Sequence, residues 1–187
     1  MKRVCPFENQ SIHHVYSKSI YHFEIFTCED EYYRMINLIN FYQHDGHSGP
    51  FSSFIKKSQN RPKPFSCLTK IKKQNVLLVK ILAYCLMPTH IHFVLQQITD
   101  KGIETFMRRI LNAYSKYFNL RHNRRGPLWE NRFGNRLILD EVGLNQTIDY
   151  VHDNPVKEKL SLTPQQWKYS SATNPSTHPT PGVGEVL

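Results

Sequence analysis

The sequence predicts an α+β domain in which an antiparallel sheet carries helices on one face. Three observations point there. Short runs of alternating or β-branched character recur along the 187 residues, amphipathic helical repeats separate them, and two of the runs meet across a three-residue turn. Hydrophobic residues make up 40% and aromatics 12%, which favours a packed globule over a disordered chain.

Residues 11–20 (SIHHVYSKSI) alternate roughly between apolar and polar positions, as a half-buried strand does. Glu29-Asp30-Glu31 then supplies the acidic first turn that suits a helix N-terminus, with Tyr33, Ile36, Ile39 and Phe41 as its apolar side, so a helix is expected over 30–43. From 44 to 75 turn signals dominate, namely Asp45-Gly46, Ser48-Gly49-Pro50 and Arg61-Pro62-Lys63-Pro64. Between Lys56 and Lys80 there are eight Lys or Arg and no acid. This stretch reads either as a basic arm touching a phosphate backbone, with Lys56, Lys57, Arg61 and Lys63 as its contacts, or as a solvated insertion with no role.

Residues 75–86 form an apolar run suited to a central strand, and 90–97 (HIHFVLQQ) a second. Met87-Pro88-Thr89 joins them as a hairpin. Residues 101–120 repeat as an amphipathic helix with Ile103, Phe106, Ile110, Ala113, Tyr114, Tyr117 and Phe118 on one side. A strand at 133–139 and a helix at about 142–153 follow, the helix ending before Pro155 because proline disfavours helical geometry in the residue ahead of it. The order strand, helix, insertion, strand, strand, helix, strand, helix is compatible with the ferredoxin-like plan. Residues 1–172 read as one domain with a basic insertion at about 44–75. The Pro-, Ser-, Thr- and Gly-rich stretch 173–187 reads as a loose tail.

The longest apolar stretch, 76–82, is interrupted by Lys80, and the N-terminus has no apolar segment of signal-peptide length. A soluble, cytoplasmic protein with no membrane partner is expected. Cys5, Cys28, Cys67 and Cys85 lie far apart with no C-x-x-C pair, and read as reduced thiols. A net charge of +9 favours a polyanionic partner, nucleic acid being the commonest.

Three groups of residues can carry chemistry. His90 and His92 stand two apart on a predicted strand, so their imidazoles share a face while Ile91 points the other way. Such a pair can chelate a divalent metal and leave coordination positions open, or it can be two hydrogen-bonded surface histidines. Tyr150 and Asn154 are four apart on the last helix and share a face. A phenol can attack a phosphodiester once a metal polarises it, and an amide oxygen suits a hard cation. Alternatively Tyr150 packs the helix on the sheet and Asn154 caps its end. Arg124, Arg125, Trp129, Arg132, Phe133 and Arg136 interleave bases with aromatics, as a single-strand or hairpin surface requires. The alternative there is an aromatic core pair beside a solvated basic turn.

In register, these segments resemble a known family. Leu86-Met87-Pro88-Thr89-His90-Ile91-His92-Phe93-Val94-Leu95 is similar to the HUH motif of the IS200-like, single-tyrosine transposases. Gly126-Pro127-Leu128-Trp129-Glu130-Asn131-Arg132-Phe133 resembles that family's glycine-x-x-tryptophan-x-x-arginine-phenylalanine segment. Tyr150-Val151-His152-Asp153-Asn154-Pro155-Val156-Lys157 resembles its tyrosine helix, and Gln166-Trp167-Lys168-Tyr169-Ser170-Ser171 its closing segment. His13-His14-Val15-Tyr16 suits its first strand. The similarity covers 11–172 apart from the insertion, and the Asn-Pro pair with the closing segment points to the branch associated with repetitive extragenic palindromes (REP).

The resemblance implies a ferredoxin-like fold of the HUH endonuclease type and a divalent metal, Mg2+ or Mn2+. It also implies tyrosine attack on single-stranded DNA beside a hairpin, leaving a 5′-phosphotyrosine link and a free 3′-hydroxyl. Carried over, His90 and His92 hold the metal, Tyr150 is the nucleophile and Asn154 the third ligand. Single-stranded or hairpin DNA is the implied partner, for a monomer or a homodimer. Two departures stand out: insertion-sequence members place glutamine where this chain has Asn154, and the basic insertion is longer than the family's. The competing reading is a domesticated relative that grips hairpin DNA or RNA without cutting. A zinc hydrolase is disfavoured by the absence of an HExxH or ordered Cys/His set.

Overall fold

The computed structural model describes residues 6–58, 76–130 and 132–173. Eight main elements follow in the order β1 (Ile12–Lys18), α1 (Glu29–Tyr42), α2 (Phe51–Ser58), β2 (Val79–Met87), β3 (His90–Gln97), α3 (Gly102–Arg121), β4 (Gly134–Ile138) and α4 (Glu141–Lys157). The strands form one sheet in the order β2-β3-β1-β4, every neighbouring pair antiparallel. The fold is α+β and its strand order is the ferredoxin-like one.

Alternation along the two central strands decides what each face carries. Val15, Ile91, Phe93 and Leu95 are completely buried on one face, against Met35, Leu38 and Ile39 of α1 and Ile103, Phe106, Ile110 and Tyr114 of α3. These two helices cover that face, as expected. α4 adds a layer on the opposite face, which element order alone did not separate from the first. Its Ile148 and Val151 pack on Ala83, Cys85, Met87 and Val94. A register shift between Ile81 and Ala83 marks a bulge in β2.

α1 and α3 are joined by a buried charge. The Glu31 side chain is wholly buried. It accepts hydrogen bonds from the Thr27 backbone N–H (2.7 Å) and hydroxyl (3.0 Å), and Oε1 lies 2.6 Å from His122 Nε2. Burial alone would raise this carboxyl, but the Thr27 and His122 hydrogen bonds outweigh it and hold the group below its usual range.

Three local expectations need correction. The 44–75 stretch is not all loop: Phe51, Phe54 and Ile55, spaced i, i+3, i+4, seat α2 beside Phe41, with Phe51 buried. The flanking turn signals masked that repeat. In α1 the buried stripe runs through Tyr32, Met35, Leu38, Ile39 and Tyr42, and Tyr33 points outward. α4 runs on through Pro155 to Lys157. Proline removes one donor to the turn before it, and the Asn154 side chain compensates, its Nδ2 donating to the carbonyls of Tyr150 (2.7 Å) and Val151 (3.4 Å).

The closing segment protects the β2 edge. Trp167 Nε1 donates to the Leu86 carbonyl (2.9 Å), Leu86 N–H donates to that of Tyr169 (3.0 Å), Ser170 bridges Cys85, and Ser171 Oγ accepts from Tyr84 N–H (2.9 Å). Of the expected tail, all but Thr173 lies outside the described residues, as do 59–75 of the insertion. Among the described residues, Cys28 and Cys85 are free thiols, and no helix is long and apolar enough to cross a membrane.

Candidate active site

The face of β1 and β3 turned away from α1 and α3 presents His14, Tyr16 and Lys18 from one strand and His90 and His92 from the other. Register places Tyr16 opposite His92 and Lys18 opposite His90. α4 crosses the neighbouring part of this face and leaves a cleft of about 860 Å³, lined by these five residues together with Arg136, Tyr150, Asn154 and Glu158. Residues 150, 154 and 158 recur at four-residue spacing, so one side of α4 faces the cleft while Ile148 and Val151 anchor the other.

The rings converge. His90 and His92 have centroids 5.0 Å apart and nearly perpendicular planes. The Tyr150 ring stands edge-on to His92 at 5.9 Å and to His14 at 5.7 Å. Tyr150 is 43% exposed, so it overhangs the histidines rather than packing the helix on the sheet. The Lys157 ammonium lies 4.6 Å from the Tyr150 ring centroid.

Each β3 histidine has one ring nitrogen engaged. His90 Nδ1 lies 3.0 Å from Thr89 Oγ1, and His92 Nδ1 lies 2.9 Å from His14 Nε2. Nε2 is therefore the nitrogen that each ring can offer, and that of His90 lies 3.8 Å from Glu158 Oε1. Burial, with Lys18 and His22 nearby, pushes His90 down to about 4. Burial, then His90, His14 and Lys18, pushes His92 down to about 2. Burial and Arg136 take His14 down to about 4. These shifts favour the neutral form of all three imidazoles near pH 7, with a lone pair on each for a ligand or a hydrogen bond.

The donor types gathered here, two imidazoles and an amide, are ones that divalent cations accept. Among the described residues no three His, Cys, Asp or Glu side chains cluster as a complete cage. The predicted set is two imidazoles and the Asn154 amide, an open arrangement of the kind that accepts a substrate oxygen. Asn154 lines the same cleft, and with Nδ2 turned to its own helix, Oδ1 is the atom it has left to offer. Asn154 lies inside α4, which ends at Lys157, so it does not cap the helix C-terminus as the alternative reading had it.

The predicted basic and aromatic residues do not form one patch. Arg136 borders the cleft. Arg132, Trp129 and Phe133 line a second depression with Lys101 and Arg108 of α3. Trp129 packs half-buried on the core with Nε1 donating to the Leu111 carbonyl (3.2 Å), and Phe133 stacks on Phe7 at 6.2 Å, so the core-pair alternative describes where these two rings sit. Arg124 donates to Asn119 Oδ1 (3.1 Å) and lies over the Phe23 ring. Arg125 and Lys56 are exposed. The Lys57 side chain, Arg61 and Lys63 lie outside what is described.

Sequence reasoning missed His14, Tyr16, Lys18 and Glu158 as cleft residues. Strand alternation groups the first three on one face of β1, but which face meets His92 depends on pairing between distant segments. Glu158 became visible only once α4 was seen to continue past Pro155.

Comparison with known proteins bears on the same residues. The family model described as "Transposase IS200 like" matches residues 54–154, which include His90, His92, Tyr150 and Asn154. A Haemophilus influenzae protein named "Putative REP-associated tyrosine transposase" is 31% identical over 100 residues, covering 48% of this chain and 57% of that relative, little more than half its length. A solved structure titled "Structure of the REP associates tyrosine transposase bound to a REP hairpin" superposes with a TM-score of 0.61 at 16% identity, over 96% of this chain and 88% of the other.

Proposed function

This chain belongs to the IS200-like transposase family, and from that premise we propose that it cleaves and rejoins single-stranded DNA next to hairpins. One observation carries the reading: the Tyr150 phenol, His90 and His92 meet in a single cleft built by one chain. Tyr150 Oη attacks the phosphorus of a phosphodiester, the P–O3′ bond breaks, and a 5′-phosphotyrosine forms. The proton lost by the phenol is balanced by the one the 3′ oxygen gains as a hydroxyl. His90, His92 and Asn154 would hold a divalent cation, Mg2+ or Mn2+, whose Lewis acidity polarises the phosphate. Lys18 and Arg136 at the rim bring positive charge to the flanking phosphates. Rejoining is the reverse attack by a 3′-hydroxyl on the phosphotyrosine.

Hairpin DNA as partner draws support from the structural relative, whose title gives a bound REP hairpin. The net charge of +9 agrees with a nucleic-acid ligand. Histidines and phenol from one chain line the cleft, which supports a monomer as the working unit, a homodimer being the other arrangement. Acting on DNA would accord with a cytoplasmic location.

The test is covalent capture. Wild-type protein with a hairpin-bearing single-stranded oligonucleotide and Mg2+ or Mn2+ is expected to give a denaturation-resistant adduct whose mass reports Tyr150 joined to a 5′-phosphate. Tyr150→Phe removes one hydroxyl and should abolish the adduct while leaving oligonucleotide binding intact. A full adduct yield from that variant would overturn the role of Tyr150. Salt-sensitive binding with no adduct from wild type on any hairpin would leave a relative that grips DNA without cutting it.

A further inference from the structure

We propose that His14 is a positioning residue that sets the tautomer and aim of His92; this rests on the reading of His90 and His92 as metal ligands. His14 lies on β1 opposite Val94, which puts it on the diagonal from His92 across the strand pair. The two ring centroids lie 5.1 Å apart with planes only 18° from parallel, and His14 Nε2 lies 2.9 Å from His92 Nδ1. Only one of those nitrogens can carry the shared hydrogen. If it sits on His92 Nδ1, then His92 Nε2 holds a lone pair for the cation. If it sits on His14 Nε2, the remaining hydrogen of a neutral His92 occupies Nε2 and blocks it. A neutral His14 with its own hydrogen on Nδ1 accepts from His92 and enforces the first arrangement. Thr89 Oγ1 occupies the equivalent place for His90, at 3.0 Å from Nδ1. The two ligands thus have separate orienting partners: one local in sequence, the other from the neighbouring strand.

The backbone at His14 is held in place. Its strand is held on both sides, by β3 and by β4, where Arg136 lies opposite. Next to it on the same face, the Tyr16 ring lies over Gly134 so closely that a Cβ there would come within 2.3 Å of Tyr16 Cζ. The His14 ring also meets the Tyr150 ring edge-on at 5.7 Å, so it links the nucleophile to a ligand.

The experiment has two readouts that need no DNA. Nitrogen chemical shifts of His92 in the free protein are expected to report the Nδ1–H tautomer. Mn2+ titration should then show His14→Phe, which keeps a ring and loses the acceptor, binding about ten- to a hundredfold more weakly than wild type. His14→Gln, whose amide oxygen can still accept, should recover most of that loss. The proposal is overturned if His14→Phe is folded and binds Mn2+ as wild type does, or if His92 carries its hydrogen on Nε2. The shift measurement on wild type decides even if His14→Phe fails to fold. Failure of wild type to bind Mn2+ at all would remove the metal reading itself, an outcome distinct from undiminished binding by the variant.

Discussion

The two faces of the same sheet are built to opposite ends. On one, β1 and β3 send Val15, Ile91, Phe93 and Leu95 into a fully buried layer closed by α1 and α3. On the other, the intervening residues His14, Tyr16, His90 and His92 are aromatic but polar, and α4 covers only the part over Cys85, Met87 and Val94. A single-residue step along a strand therefore separates the apolar core from the cleft. α4 repeats this division on a helix: Ile148 and Val151 seat it on the sheet, and Tyr150, one residue from Val151, overhangs the cleft. The core face fixes the strands that carry the cleft residues, and the imidazoles there add less to stability than aliphatic side chains would.

Substitutions on the two faces should separate cleanly. The largest stability loss is expected from Phe93→Ala, which empties a fully buried site and should cost about 3–5 kcal/mol in denaturant unfolding. Should Phe93→Ala cost no more than a cleft substitution, the division between the faces would break down. Next is Glu31→Gln at the α1–α3 clasp, expected to cost about 1–3 kcal/mol near neutral pH. The sign of its pH dependence follows from the depressed carboxyl. The clasp's contribution is present above the ordinary value of 4.5 and is lost as pH falls through the lower folded-state value. Wild type should therefore lose part of its advantage over Glu31→Gln below about pH 4.5, and an advantage that grows on acidification would contradict the assignment. Smallest in stability is Tyr150→Phe, within about 0.5 kcal/mol because the ring is half-exposed and its shape is kept. The same change carries the largest loss of adduct, and that inversion sharpens the contrast between the faces.

Much of this was legible because it is local. The bounds of β3, the shared face of His90 and His92 and the buried side of α3 follow from periods of 2 and 3.6 residues. The shared face of Tyr150 and Asn154 follows from helical spacing in the same way. What escaped depends on partners far along the chain or on compensation by side chains. His14 meets His92 across 78 positions, and no local period encodes that pairing. The rule that proline ends a helix failed at Pro155 because Asn154 supplies the missing donor from its side chain. Counting bases between Arg124 and Arg136 found the charge but not its distribution, and the interleaved Trp129 and Phe133 turned out to be wedged against the core.

The central claim is that one chain supplies both the histidines and the phenol of a working site. Mixing the Tyr150→Phe protein with a His90→Ala/His92→Ala double variant tests it directly, with adduct on a hairpin-bearing oligonucleotide as the readout. A site assembled within each chain predicts that the mixture, like either variant alone, gives no adduct. Adduct restored by mixing would mean that the phenol of one copy serves the histidines of another, and would contradict the account.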